Sequence, residues 1–324
     1  MSEVMFEDAL KGSRAFNLIS NDFRLGLGHA YMVVSNDDEI VKEFFSLLAA
    51  AAFCESKSAC LNCTECLRAI HDNNPDITHF NREGESIKVD AVKELSAAAD
   101  IRSFSGTRLF FVYRADLMNA AAQNKLLKTL EEPPEGVSFF LGVSNESAML
   151  ETVKSRCRKV YMDVFDDQTI KKALVDLGCE ESIAKIATTC SEGTLGNAVK
   201  IARSPEYVEL YRSAVKLLFD LKRSTDILAI SRLSVLNNDT DKFLDVLSII
   251  LRNMLVLKAG KDEELSKLVG EDIKTLSESF SPLAISEIIK RINLSRRKLS
   301  LNINSTATID WLLFGILEDK FKWQ

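Results

Sequence analysis

With 324 residues, 46% of them hydrophobic, the chain can bury full-sized cores in two or three domains. Its net charge of −6 and pI of about 5.4 exclude the broad basic footprint with which an isolated protein grips nucleic-acid phosphates. Met1 to Asp8 is acidic and has no apolar run, and the longest strongly apolar stretch, Leu47 to Phe53, is too short to cross a bilayer. These features argue against a secretory signal and a membrane span, and predict a cytoplasmic protein whose 7 cysteines stay reduced.

Few Gly (13) and Pro (5) and 8% aromatics favour helices over a β-sandwich. In chain order, Ala30 to Val34 is a short apolar run that predicts a buried strand. Glu39 to Phe53 comes next, with Ile40, Val41, Phe44, Phe45, Leu48 and Ala52 at helical spacing. Arg108 to Val112 predicts a second strand, Ala120 to Glu131 a helix stopped by Pro133-Pro134, and Ser138 to Val143 a third strand. Strands alternating with helices predict a parallel sheet covered on both faces. From about Thr169 onward the periodicity is helical, with breaks at Gly178, Gly193 to Gly196, Ser204-Pro205, Asn237 to Asp239 and Phe280 to Pro282.

Cys54, Cys60, Cys63 and Cys66 form C-x5-C-x2-C-x2-C. Four thiolates this close can enclose one tetrahedral Zn²⁺, and a closed sulfur shell leaves no open position for catalysis, so the expected role is structural. His71 reads as a surface histidine at a helix end rather than as a further ligand.

The turn between the first strand and its helix is where a phosphate-binding loop would sit. Such a loop needs glycines to bring backbone N–H groups to phosphate, a Lys for the charge and a hydroxyl for Mg²⁺. The sequence offers Ser35-Asn36-Asp37-Asp38-Glu39, whose carboxylates suit a helix N-terminus and repel an anion. The second strand ends in Tyr113-Arg114 where a metal-binding site would need Asp-Glu, and Asp116 comes two positions later. Two independent losses predict that the chain binds no ATP and is not an enzyme by itself.

The run Gln123 to Pro134, with its core Leu-Leu-Lys-Thr-Leu-Glu-Glu-Pro-Pro, resembles bacterial clamp-loader subunits of the AAA+ class. Gly28-His29-Ala30-Tyr31, the cysteine module, Asn74-Pro75-Asp76 and Ser155-Arg156-Cys157 extend the resemblance over roughly residues 14 to 160. The spacer after Cys54 is shorter than the family pattern. The resemblance implies a RecA-like α/β AAA+ domain over residues 1–164 with a zinc module near 54–66, a helical lid domain over 165–204, and an all-helical collar domain over 205–324. It implies a place in a five-membered ring with gamma/tau ATPase subunits and delta, which loads a sliding clamp onto primed DNA as part of the DNA-directed DNA polymerase holoenzyme. Family members lacking the phosphate loop act as stators. In the family the arginine of Ser-Arg-Cys, here Arg156, reaches a neighbour's ATP as an arginine finger. Judged on residues alone, Arg156 reads rather as a helix-end cap or a surface ion pair than as a finger, and Lys154, Arg158 and Lys159 beside it read as a basic patch. Ser144-Asn145 reads as a turn, and Gly196 stands where an ATPase lid would carry Arg. The alternatives are an ATPase with an atypical site and a zinc-module DNA-binding protein.

Overall fold

The computed structural model describes residues 4–162, 164–225, 227, 239–260 and 270–323. The expected break at Asn237 and Asn238 lies outside them. The chain divides into two compact units, residues 1–164 and 165–324.

In the first unit, α1 (Glu7–Gly12) and α2 (Arg14–Leu25) precede β1 (Ala30–Val34), α3 (Asp38–Phe53), α4 (Thr64–Ile70) and β2 (Ile77–Phe80). Then come α5 (Val89–Ala99), β3 (Arg108–Val112), α6 (Ala120–Glu131), β4 (Val137–Val143), α7 (Glu151–Lys154) and β5 (Arg158–Tyr161). The five strands form one parallel sheet in the order β2-β3-β4-β1-β5. The sequence predicted three of these strands; β2 and β5 are the additions. Both are four-residue edge strands, and β5 buries only Val160 among Arg158, Lys159 and Tyr161. Short edge strands carry polar side chains and give little alternation to detect.

Alternation along the inner strands sorts their side chains onto two faces. Met32, Phe110, Phe139 and Leu141 pack with Val92 and Leu95 of α5 and Leu126 and Leu130 of α6. On the other face Tyr31, Phe140 and Phe111 stack across neighbouring strands with centroids 5.0 and 5.1 Å apart, and Phe45 of α3 covers them. At Gly142, a Cβ would meet Val41 Cγ1 at 3.0 Å, so the glycine sets how closely α3 lies on β4. Asp37 and Asn119 cap α3 and α6 by accepting from the N–H of Ile40 and Ala122.

Every described element of the second unit is helical, as the periodicity predicted. α8 (Asp167–Asp176), α9 (Glu181–Cys190) and α10 (Leu195–Ala202) pack together, and α11 (Pro205–Asp220) packs on α9 and α10. Among the described residues the later helices are α12 (Thr240–Ala259), α13 (Glu271–Glu278), α14 (Pro282–Ser300) and α15 (Ser305–Lys322). Ser204 and Ser281 cap α11 and α14, each with Pro in the first turn. Arg291 of α14 bonds Asp319 of α15 at 2.6 Å, and Lys298 lies 3.3 Å from the Trp311 ring centroid.

One buried polar side chain joins helix α6 to the segment between β4 and α7. Gln123 is 2% exposed; its Nε2 donates to the carbonyls of Met118 and Ala148 at 3.0 and 2.9 Å, and its Oε1 accepts from Leu150 N at 2.7 Å. Gln123→Leu leaves those backbone groups without their partner and is expected to cost about 2–4 kcal/mol in chemical denaturation. A loss below about 0.5 kcal/mol would show that the amide does not hold this junction.

Candidate functional site: a filled crevice, a cysteine cluster and a tethered arginine

β1 and β4 lie side by side, yet the chain leaves β1 toward β2 and leaves β4 toward β5. Their connections cover opposite faces of the sheet, so a crevice opens at the carboxyl ends of these strands, where α/β sheets bind ligands. Three turns meet there: Ser35 to Asp38 after β1, Tyr113 to Asp116 after β3, and Ser144 after β4.

These turns fill the crevice with their own charges. Arg114 Nη1 lies 2.8 Å from Asp38 Oδ2 at the start of α3, and Arg114 Nη2 lies 3.3 Å from Asp116 Oδ2. Asp116 also accepts from Ser144 N at 3.2 Å and from Ser144 Oγ at 3.3 Å. The bonds to Asp116, then to Asp38, hold the Arg114 guanidinium above its ordinary pKa, against the effect of burial. In the sequence, Asp116 stood too far along to reach this place. The chain turns back through Arg114 in the left-handed region (φ 52) and a 3₁₀ turn at Ala115–Leu117, which brings the carboxylate in. Tyr113, at the end of β3, turns away: its hydroxyl meets His79 Nδ1 at 2.8 Å, and burial pushes its pKa up to about 12. Burial likewise pushes His79 down to about 4, so its imidazole is neutral at physiological pH. Asn145 makes the predicted turn by accepting from Ser147 N at 3.1 Å. Gly196 is buried on α10 and brings no side chain to any site.

The four cysteine Sγ atoms all lie within 4.8 Å of one another, and those of Cys60 and Cys66 are 3.9 Å apart. A tetrahedron of 2.3 Å Zn–S bonds requires about 3.8 Å between sulfurs, so the donor set fits one zinc ion. Cys54 joins the other three despite its short spacer. His71 caps the C-terminal end of α4 and is not among these ligands. The loop that gathers the sulfurs holds Lys57, Ala59 and Leu61 at φ 53, 53 and 58, a conformation that costs a side-chain-bearing residue about 1–2 kcal/mol. Burial works against a thiolate at Cys54, but N–H donors from Cys60 and Ser56 outweigh it and bring the thiol down to about 5. Burial and the neighbouring sulfurs push Cys66 up. A dication shared by the four would resolve that opposition.

Arg156 lies outside the crevice, just after α7. Its Nη1 donates to Thr152 O at 2.8 Å, and its Nη2 lies 2.5 Å from Glu131 Oε1. The isolated chain thus shows the helix-end cap and the surface ion pair that the residues allowed. The basic patch is neutralised locally: Lys154 pairs with Glu151 at 2.6 Å, Lys159 with Glu146 at 2.5 Å, and Arg158 with Asp22. Sequence reasoning missed Glu131, although it lies in the motif run, and it missed Asp76. The Asp76 carboxylate, 1% exposed, accepts from the N–H groups of Phe104 and Ser105 and from Ser105 Oγ, each at 2.8 Å, which explains the Asn-Pro-Asp signature as a loop anchor.

This geometry can be tested at the bridge and at the sulfurs. Arg114→Ala strands the Asp116 carboxylate, whose side chain is 3% exposed, and is expected to lower stability by about 1–3 kcal/mol in chemical denaturation; an unchanged midpoint would show that the guanidinium is dispensable. Stripping metal from the purified chain with a strong zinc chelator is expected to lower the melting temperature of the first unit, and Cys63→Ser to abolish metal retention in elemental analysis. Identical melting curves before and after chelation would contradict a structural role.

Known proteins resemble this chain along much of its length. The family model described as DNA polymerase III, delta subunit, matches residues 13–166. The delta' subunit of DNA polymerase III from Bacillus subtilis is 24% identical over 94% of this chain and 94% of its own length. The delta' subunit from Escherichia coli is 30% identical over 45% of the chain and 46% of its own length, and the tau subunit from that organism is 24% identical over 60% and 32%. A gamma subunit-related protein of Thermotoga maritima, solved by crystallography, aligns over 94% of the chain and 99% of its own with 18% identity and a TM-score of 0.43. Motif run, cysteine module and a delta' relative aligned over 94% of its length make this chain similar to the clamp-loader subunits of bacterial DNA polymerase III, most like delta-prime.

Proposed function

We propose that the chain is a clamp-loader stator: it hydrolyses no ATP itself and lends Arg156 to the ATP site of a neighbouring subunit. The observation that carries this reading is the Asp38–Arg114–Asp116 bridge, which occupies the crevice where a triphosphate and its Mg²⁺ would dock. Asp38 presents negative charge to an incoming phosphate, and the carboxylate that could take a metal already has a guanidinium as counter-ion. No glycine-rich turn brings N–H groups forward in compensation.

Arg156 supplies the complementary half. A guanidinium at the surface can approach phosphate oxygens with forked donors and offset the charge that develops as the γ-phosphoryl group leaves. Residues 165–204 and 205–324 serve in this reading as lid and collar, the collar joining the ring with gamma/tau-type ATPases and delta. Clamp and primed DNA are met through the assembled ring, in the cytoplasm. The zinc held by Cys54, Cys60, Cys63 and Cys66 fixes the fold of the knuckle between α3 and α4 and does no chemistry.

In a loader reconstituted from its own subunits, Arg156→Ala is expected to slow hydrolysis at the interface this chain completes by roughly 10³-fold, leaving the variant's fold and zinc content intact. Unchanged ATP turnover would remove the finger. A labelled ATP analogue is expected to show no Mg²⁺-dependent binding to the isolated chain; micromolar affinity would make the chain an ATPase of atypical site instead.

A further inference from the structure

Arg156 is held at two points, and the two differ in kind. The Thr152 carbonyl lies four residues back along its own segment, whereas Glu131 is the last residue of α6. The first bond only folds the side chain against its own turn. The second ties the guanidinium to a helix whose position is fixed elsewhere: Leu126 and Leu130 are buried against the sheet, and Gln123 bonds the segment leading into α7.

We propose that Glu131 is a positioning residue for Arg156, holding the guanidinium at the surface in the orientation from which it meets a neighbour's phosphate; this rests on the reading of Arg156 given above. Donor counting makes the tether compatible with that task. Guanidinium carries five N–H donors; Nη1 gives both of its own to Thr152 O and, at a long 3.4 Å, to Ser155 Oγ, while Nη2 meets Glu131 Oε1 as an ion pair. The Nε–H lies outside both anchors and is left for a phosphate oxygen without either being broken. A long, rotamer-rich side chain is thereby fixed before the partner arrives, so less freedom is lost on engagement. The Glu131 carboxylate offsets the long-range field of Arg156, so the guanidinium engages a phosphate only at short range, through geometry. Glu132, the next residue, is also exposed, but its carboxylate has no part in this contact.

The test compares Glu131→Ala, Glu131→Gln, Glu132→Ala and Arg156→Ala in the reconstituted loader, with ATP turnover and melting temperature measured for each. Glu131→Ala is expected to lower kcat roughly three- to tenfold with KM for ATP and melting temperature unchanged, because the misplaced finger fails only in the transition state. Glu131→Gln keeps an acceptor and is expected to recover most of the rate. Glu132→Ala removes the same charge one residue away and is expected to match the unmodified complex. If Glu131→Ala turns over ATP at the unmodified rate or faster, the proposal fails, and a faster rate would make the ion pair a parking contact. Equal losses from Glu131→Ala and Glu132→Ala would reduce the effect to net charge and also overturn it. A slow Arg156→Ala beside a normal Glu131→Ala would sink the positioning role alone; a normal Arg156→Ala would sink the finger itself.

Discussion

Arg114 stands where the first unit brings two carboxylates to the carboxyl edge of one sheet, and the crevice takes its character from that guanidinium. Asp38 opens α3 and Asp116 closes the turn after β3; without a cation between them they would repel across a partly dry space. Desolvation makes the arrangement all-or-none. Asp116 has its charge compensated by Arg114 and its remaining acceptor capacity taken by Ser144, so each polar group has a partner only while the others stay in place. A triphosphate entering here would have to displace the guanidinium from both carboxylates and then lie beside them. The crevice thus holds an internal ion triad, and in the reading proposed above the chain contributes to ATP chemistry from its surface.

Helix α6 explains how one short motif can serve both the interior and the surface. Its residues recur every three to four positions on the buried side: Gln123, Leu126 and Leu130. The leucines seal the helix onto the sheet, and Gln123 locks its first turn to the segment before α7. Glu131, one position past the last buried leucine, points out to Arg156. Eight residues of helix separate Gln123 from Glu131, about 12 Å of rigid spacer at 1.5 Å each. Pro133-Pro134 ends that spacer at a fixed length, because proline cannot continue the backbone ladder. The segment leading to and carrying Arg156 therefore meets one rod at two points, Gln123 and Glu131.

The same physics decides which features were legible in the sequence. Inner strands show as unbroken apolar runs because both faces are covered, so β1, β3 and β4 were legible to within a residue. The edge strands β2 and β5 were not, since half their groups meet water. The four cysteines were legible because four soft ligands at close spacing form a recognisable metal-binding pattern. The loss of the phosphate loop was legible as missing glycines. Its replacement was not: nothing local links Arg114 to Asp38, 76 residues away, and Asp116 enters the crevice only through a left-handed turn that a propensity argument does not anticipate. Glu131 was hidden for a related reason, since a carboxylate at the end of an exposed helix looks solvated until its partner beyond α7 is seen.

Charge pairing also bears on the proposed place of the chain in an assembly. Lys154, Arg156, Arg158 and Lys159 look like a basic strip in the sequence, yet each has its own carboxylate from Glu151, Glu131, Asp22 or Glu146. Interleaved signs cancel the far field within about a Debye length, roughly 8 Å at physiological ionic strength, so the strip cannot steer a nucleic acid from a distance. An overall charge of −6 adds to that effect. Contacts made by these cations are short-ranged and geometric, and they become useful only when another surface is already docked beside them. A guanidinium that acts only after docking suits a subunit whose partner delivers the phosphate, and suits poorly a protein that must find phosphate by itself.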